Sequence, residues 1–170
     1  MRKLVSGFAA SLDGYILGPE GDIDWILMNE EVNFAEEMKK YDAFFYGRKT
    51  YQEVVRKSNL LVPGTKNYVF STTLNEVHQD FILIKGNVQQ VVQDLKSEGG
   101  KNIALFGGAK LLASLLQMNL VDKISVSIIP VLLGSGKPMV DVLNRHYFLE
   151  LKNTKVYSNG TVQITYAVKY

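Results

Sequence analysis

The chain has 170 residues, no cysteine, and 19 basic against 17 acidic side chains. That length suits one domain with its own buried core, and the missing cysteines exclude disulfides and thiolate metal sites and point to the cytoplasm. Near-balanced, interspersed charge leaves no long-range field for nucleic acid, and no segment approaches the ~20 apolar residues that span a bilayer.

After Met1-Arg2-Lys3 comes an apolar run at 4–10, broken at Gly7, which reads as a first strand rather than a signal peptide. Ser11-Leu12-Asp13-Gly14-Tyr15-Ile16 and Gly18-Pro19-Glu20-Gly21-Asp22 follow. Two clusters of turn residues so close together predict a mobile surface loop beside the end of a central strand, where open α/β sheets bind ligands. Trp25, the single tryptophan, is expected to pack just before a helix at 29–41. On that helix Leu27, Phe34, Ala35, Met38 and Tyr41 make an apolar stripe; Glu31 falls within it and Glu30 at its opposite margin. A carboxylate so placed needs a partner, water in a cleft, or the incompletely buried end of the stripe.

The run at 43–46 enters Gly47-Arg48-Lys49-Thr50, and the run at 103–106 enters Gly107-Gly108-Ala109-Lys110. Each is an apolar strand passing through glycine into a helix. Glycine lets a ligand approach the backbone, and the helix aims unpaired N–H groups at it. Two such junctions suggest a dinucleotide, although glycine serves many tight turns that bind nothing. Arg48 and Lys49 in a first helical turn oppose the helix dipole unless an anion lies between them and the helix, at a cost of a few tenths of a kcal/mol in solvent. Between the junctions, the run at 68–70 ends in Ser71-Thr72-Thr73, hydroxyls that either cap the next segment or bond a ribose or phosphate. Val88, Val91, Val92 and Leu95 make one core-facing helix; Leu111, Leu112, Leu115 and Leu116 make another. The second junction lacks G-x-G-x-x-G and a following acidic strand end, which disfavours an ordinary Rossmann domain.

The last third alternates. Ile124, Val126 and Ile128 lie between serines, and Val162, Ile164, Tyr166 and Val168 between Gln163, Thr165 and Ala167, as in half-exposed strands. Ser158-Asn159-Gly160 predicts a tight hairpin, both Asn159 and Gly160 tolerating positive φ. The glycine-rich segment at 130–138 is either a strand connection or a wall of a substrate cleft. His78 and His146 stand apart without acidic partners at ligand spacing, so neither a metal site nor a triad is predicted. The expected architecture is one mixed, mainly parallel α/β sheet flanked by helices, with an antiparallel C-terminal hairpin.

In order and spacing, Ser11-Leu12-Asp13-Gly14-Tyr15-Ile16, Trp25, Tyr46-Gly47-Arg48-Lys49-Thr50-Tyr51, Val69-Phe70-Ser71-Thr72, Phe106-Gly107-Gly108-Ala109 and Pro130-Val131-Leu132-Leu133-Gly134-Ser135-Gly136 resemble the dihydrofolate reductase superfamily. They are most similar to the reductase domain of the bifunctional riboflavin-biosynthesis deaminase/reductase and its stand-alone bacterial relatives. The resemblance spans the chain and implies a three-layer dihydrofolate reductase-like fold, a homodimer, and NADPH bound across the sheet. It places Gly47, Arg48, Lys49 and Thr50 at the 2′-phosphate and pyrophosphate, with Gly107, Gly108 and Ala109 on the pyrophosphate from the other side. Ser71 and Thr72 fall near the adenosine ribose, and Ala9 and Ile16 beside the nicotinamide. Glu31 falls close to the position of the substrate-binding acid in dihydrofolate reductases, with Glu30 as its rival.

The chain lacks a proline-rich turn around Trp25, which argues against folate. It also has Thr73-Leu74 where family members often carry an arginine, leaving Arg48 to select NADPH over NADH. The implied activity is hydride transfer to a small heterocyclic or ribosylamino compound, as in 5-amino-6-(5-phosphoribosylamino)uracil reductases. Glu31 would hydrogen-bond the heterocycle or relay a proton, and Asp13 and its loop would close over the nicotinamide. Lys137 and Arg56 are candidates for a substrate phosphate. A pterin or dihydrofolate reductase, and a non-catalytic nucleotide- or pteridine-binding dimer, are the alternatives.

Overall fold

The computed structural model describes residues 1–28, 31–57 and 61–170. Along the chain these form β1 (Leu4–Ser11), β2 (Tyr15–Leu17), α1 (Phe34–Met38), β3 (Tyr41–Gly47), α2 (Arg48–Lys57), β4 (Lys66–Phe70), β5 (Phe81–Ile84), α3 (Val88–Ser97), β6 (Asn102–Gly107), α4 (Ala109–Gln117), β7 (Lys123–Ile129), β8 (Lys137–Pro138), β9 (Phe148–Val156) and β10 (Val162–Lys169). Eight strands form one sheet in the order β5-β4-β3-β6-β1-β7-β10-β9, and β2 pairs with β8 in a separate ribbon. The six strands from β5 to β7 in that order are parallel. β10 then runs antiparallel to β7, and β9 antiparallel to β10. This is the mixed, mainly parallel sheet with an antiparallel C-terminal hairpin that the residue pattern predicts.

The unalternating apolar runs arise because both faces of the parallel part are covered. Successive side chains of a strand point to opposite faces. Phe45 and Leu105 pack with Val92 of α3 and with Leu112 and Leu115 of α4, whereas Phe44 and Tyr46 pack with Tyr51 and Val54 of α2. Phe44 and Phe45 are both fully buried, each worth roughly 1.5–3 kcal/mol of burial. α2 and α4 thus lie on opposite faces. β3 leads through α2 to β4 on one side, while β6 leads through α4 to β7 on the other. The crossovers part between the adjacent strands β3 and β6, and such a switch point opens a crevice at the C-terminal strand ends.

Three local expectations are corrected. The helix predicted at 29–41 is only α1, because the Asn33 side chain caps it by accepting the Glu36 N–H at 3.2 Å and Tyr41 already belongs to β3. Its supposed apolar stripe is largely in solvent, with Phe34 60% and Leu27 46% exposed. Glu31 therefore precedes the helix cap, and Glu30 lies outside the described residues. The segment predicted to be an irregular loop contains the short strand β2, with Tyr15 opposite Pro138 and Leu17 opposite Lys137. In the C-terminal hairpin Gly160 alone takes positive φ, at 83°, and Asn159 does not. The Gly160 N–H donates to Tyr157 O, and the Tyr157 N–H to Thr161 O. This three-residue loop with a left-handed glycine replaces the two-residue turn that Asn-Gly suggests. No helix of the described residues is long and apolar enough to cross a membrane.

Candidate active site

The two strand-glycine-helix junctions meet at the switch point. A Cβ on Gly47 would stand 3.6 Å from both Gly107 O and Gly108 N, so the two turns are in contact. Gly107 has φ of 132°, a conformation that side chains rarely adopt, and the Gly107–Gly108 peptide is cis. Above them lies a cleft of about 350 Å³. Gly47, Arg48, Lys49 and Thr50 line one side, Gly108 and Ala109 the other, and Lys137 and Pro138 of the ribbon a third. Thr50 Oγ1 lies 3.4 Å from where a Cβ on Gly107 would stand, which places its hydroxyl against the second junction.

The lining is strongly cationic. Arg48, Lys49, Lys110 and Lys137 face it, with Asp141 as the one carboxylate among its described residues. Asp141 Oδ1 accepts the Val142 N–H at 2.8 Å. Among the described residues Arg48 donates only to Gln52 Oε1, at 3.3 Å. Among the described residues none of the four cations has a carboxylate within ion-pair distance; the ion pairs join other side chains. α2 has no acidic residue in its first turn, and α4 begins at Gly108 without a side-chain cap. Two helix N-termini and four cations converging on glycines with no bulk to block an approach form a cradle for a di- or polyphosphate. The residues present therefore fit the phosphates of a nicotinamide dinucleotide.

Other predicted residues are not among those that line this cleft. Ala9, half-buried on β1, is opposite Ser127 of β7; Ile16 lies on β2. Ser71 follows Phe70, the partner of Gly47 in the sheet register. Its Oγ accepts the Thr73 and Leu74 N–H groups at 3.2 and 3.1 Å, so the hydroxyl caps its own turn. Thr72 is exposed beside it. Asp13 accepts the Leu133 N–H at 3.2 Å and the Gly134 N–H at 2.7 Å. The Ser11 hydroxyl and then these amides hold its carboxyl below the usual carboxylate range. Asp13 thereby staples the β1–β2 turn to the glycine-rich loop. That loop connects β7 to β8, and its end at Lys137 and Pro138 lines the cationic cleft.

Glu31 meets the tip of the C-terminal hairpin. Its Oε1 accepts the Ser158 hydroxyl, and the Ser158 N–H at 3.0 Å. These bonds, with the charge of Lys155 behind them, hold Glu31 below the usual carboxylate range. At neutral pH it presents lone pairs rather than a proton. Lys155 lies over the Tyr157 ring at 4.5 Å, and Tyr157 donates to Gln163 at 3.1 Å. Trp25 is half-buried, its indole N–H donating to Asp22 O at 3.2 Å. Arg56 is paired with Glu53 on an exposed face of α2. Sequence reasoning missed Lys110 and Asp141 as cleft residues, and Asp141 lies in a segment where no periodicity or motif signals a role.

Residues 2–163 match the family model described as the RibD C-terminal domain. The Bacillus subtilis (strain 168) protein YyaP, itself uncharacterized, is 36% identical over 97% of this chain and 94% of its own length. A crystal structure from Shewanella sp. PV-4, named for riboflavin biosynthesis, superposes with a TM-score of 0.86 at 26% identity, over 99% of both chains. Dihydrofolate reductase from Enterococcus faecalis, solved with NADP(H), superposes with a TM-score of 0.73 at 16% identity, over 99% of this chain and 97% of that one. With its sheet order and paired glycine junctions, the chain belongs to the RibD C-terminal domain family, riboflavin-pathway reductase-like proteins on the dihydrofolate reductase fold.

Proposed function

We propose that the protein is an NADPH-dependent reductase acting on a small heterocyclic or ribosylamino compound, of the riboflavin-precursor reductase type. The observation that carries this reading is the convergence of the α2 and α4 N-termini, with four cations, on one cleft at the sheet's switch point. Bound NADPH supplies a hydride to a polarised C=N or C=O carbon. Gly47, Lys49, Thr50 and Gly107 to Ala109 hold the pyrophosphate, and Arg48 takes the 2′-phosphate. Ser71 and Thr72 stand toward the adenosine ribose. Ala9 and Ile16 wall the nicotinamide, and Asp13 fixes the loops that exclude water from it. Glu31, ionised and anchored at Ser158, accepts hydrogen bonds from ring N–H groups and so orients the substrate; acting as the proton donor would require it to capture a proton first.

The same reading makes the protein a homodimer. Leu149, Leu151 and Val156 of β9 and Ile164, Tyr166 and Val168 of β10 share one apolar face by register. The three β9 side chains are 42%, 57% and 69% exposed. A second copy of the chain covers such a face and its unpaired edge.

Titration with NADPH and NADH, followed by nicotinamide fluorescence, tests the proposal. Saturable binding that favours NADPH, then its oxidation by a member of a panel of pyrimidine and pterin compounds, supports it. No saturable binding of either cofactor overturns it. Tight binding without turnover across the panel selects the non-catalytic dimer.

A further inference from the structure

We propose that Lys137, carried on the β2–β8 ribbon, is a pyrophosphate contact that closes the dinucleotide cleft from a third side. This rests on the reductase reading above and adds a residue to the same site. Lys137 Nζ lies 3.2 Å from where a Cβ on Gly108 would stand, so the ammonium sits directly over the second glycine junction. It shares the cleft with Arg48, Lys49 and Lys110.

Among the described residues the two buried cations are matched. Arg2 pairs with Asp42, and Lys96 lies 2.6 Å from Asp122 while donating to Leu120 O at 2.9 Å. Lys137 is partly buried, and among the described residues it has no ion pair and no side-chain hydrogen bond. A partly desolvated cation beside three like charges is unfavourable until an anion joins them. The carboxylate of Asp141, though in the same cleft, is turned to the Val142 amide.

The lysine is placed by backbone architecture. Gly136 has φ of 143°, and a Cβ there would collide with the Leu17 carbonyl, so β8 can lie this close to β2 only with glycine before Lys137. Leu17 is the register partner of Lys137, and the Met139 N–H donates to Gly14 O at 3.0 Å. The ribbon that holds the pyrophosphate cation therefore also carries Ile16. Capture of the pyrophosphate fixes the element proposed to wall the nicotinamide.

The test compares Lys137→Met and Lys137→Arg with the unaltered protein, reading dissociation constants for NADPH and NADH by fluorescence and the melting temperature without ligand. A pyrophosphate contact is common to both cofactors. Lys137→Met is expected to weaken both by the same factor, about tenfold to a hundredfold, and Lys137→Arg to restore most of the loss. The melting temperature should stay level or rise, since no protein partner is lost and like-charge repulsion is relieved. Unchanged NADPH affinity in Lys137→Met overturns the proposal, as does a loss confined to NADPH, which would move the lysine to the 2′-phosphate. A lower melting temperature with no rescue by arginine also overturns it by assigning a structural role. If the unaltered protein binds neither dinucleotide, this proposal and the reductase reading fall together; if it binds and Lys137→Met binds equally well, only this one falls.

Discussion

Asp13 Oδ2 accepts the Gly134 N–H at 2.7 Å, joining the turn after β1 to a loop 121 residues further along the chain. Its other oxygen takes the Leu133 N–H, so one carboxylate sets the course of the segment that delivers Lys137 to the cleft. Asp13→Ala is expected to speed hydrogen exchange at the Leu133 and Gly134 amides, leave β3 and β6 protected, and weaken NADPH binding. The native carboxyl titrates below its ordinary value of 3.8. A lowered folded-state value stabilises the fold above the unfolded value, and the contribution is lost as pH falls through the folded one. Protection of these two amides should therefore hold down to about pH 3.8 and fail below it. Unchanged exchange in Asp13→Ala would remove the staple.

Gly136→Ala tests the ribbon itself. A side chain at φ of 143° is strained and would strike the Leu17 carbonyl. The expected loss is about 1–3 kcal/mol of stability from the backbone conformation, seen as a lower urea midpoint, together with weaker NADPH binding as Lys137 is displaced. Lys137→Met should show the second effect without the first. A Gly136→Ala protein that binds NADPH normally would detach the ribbon from the cofactor site.

The parallel core and both glycine junctions were legible because their signals are local. A run such as Ala43-Phe44-Phe45-Tyr46 carries its own burial pattern, and Gly47-Arg48-Lys49 its own electrostatic inconsistency. What the sequence did not disclose depends on distant pairings. β8 is two residues long and exists only because Gly136 lets it approach Leu17. Lys137 was legible as a basic candidate, but its place over Gly108 follows from that pairing. The helix expected around Glu31 is shorter for the opposite reason: its apolar residues recur at a period of 3.6, yet Asn33 caps a helix of five residues.

Arg48 is the cation assigned to cofactor choice. It is exposed and, among the described residues, bonded only to Gln52, so Arg48→Gln should leave the melting temperature unchanged. Loss of a charge-assisted phosphate contact predicts NADPH binding weaker by about tenfold to a hundredfold, with NADH binding unaltered. Equal weakening of both cofactors, measured by the same fluorescence titration, would remove the role in selecting the 2′-phosphate.

Glu31→Gln separates substrate orientation from cofactor binding. The amide keeps an oxygen for Ser158 but loses the charge, so the dissociation constant for NADPH should stay the same while turnover of an identified substrate falls at least tenfold. With the carboxyl held below its ordinary value of 4.5 by Ser158, activity that depends on the anion should be level through neutral pH and decline only on acidification below about 4.5. A rate that instead rises on acidification toward that value would make the protonated acid the active form.

β9 is exposed along its whole length, and its register with β10 shifts between Thr165 and Tyr166. The shift marks a bulge, a feature that bends an edge strand and discourages open-ended pairing. Face-to-face packing of the apolar side is left as the closed arrangement, giving two copies and not a fibre. Leu151→Asp puts a charge at the centre of that face, beside Tyr166, on a side chain that is already 57% exposed in the single chain. The monomer fold should survive while self-association is lost, because burying an unpaired carboxylate between two copies is costly. Light scattering during size-exclusion chromatography should give about twice the 19.1 kDa chain mass for the unaltered protein and the single chain mass for Leu151→Asp, with cofactor affinity retained if the cleft is built within one copy. A monomeric unaltered protein across micromolar concentrations would remove the dimer.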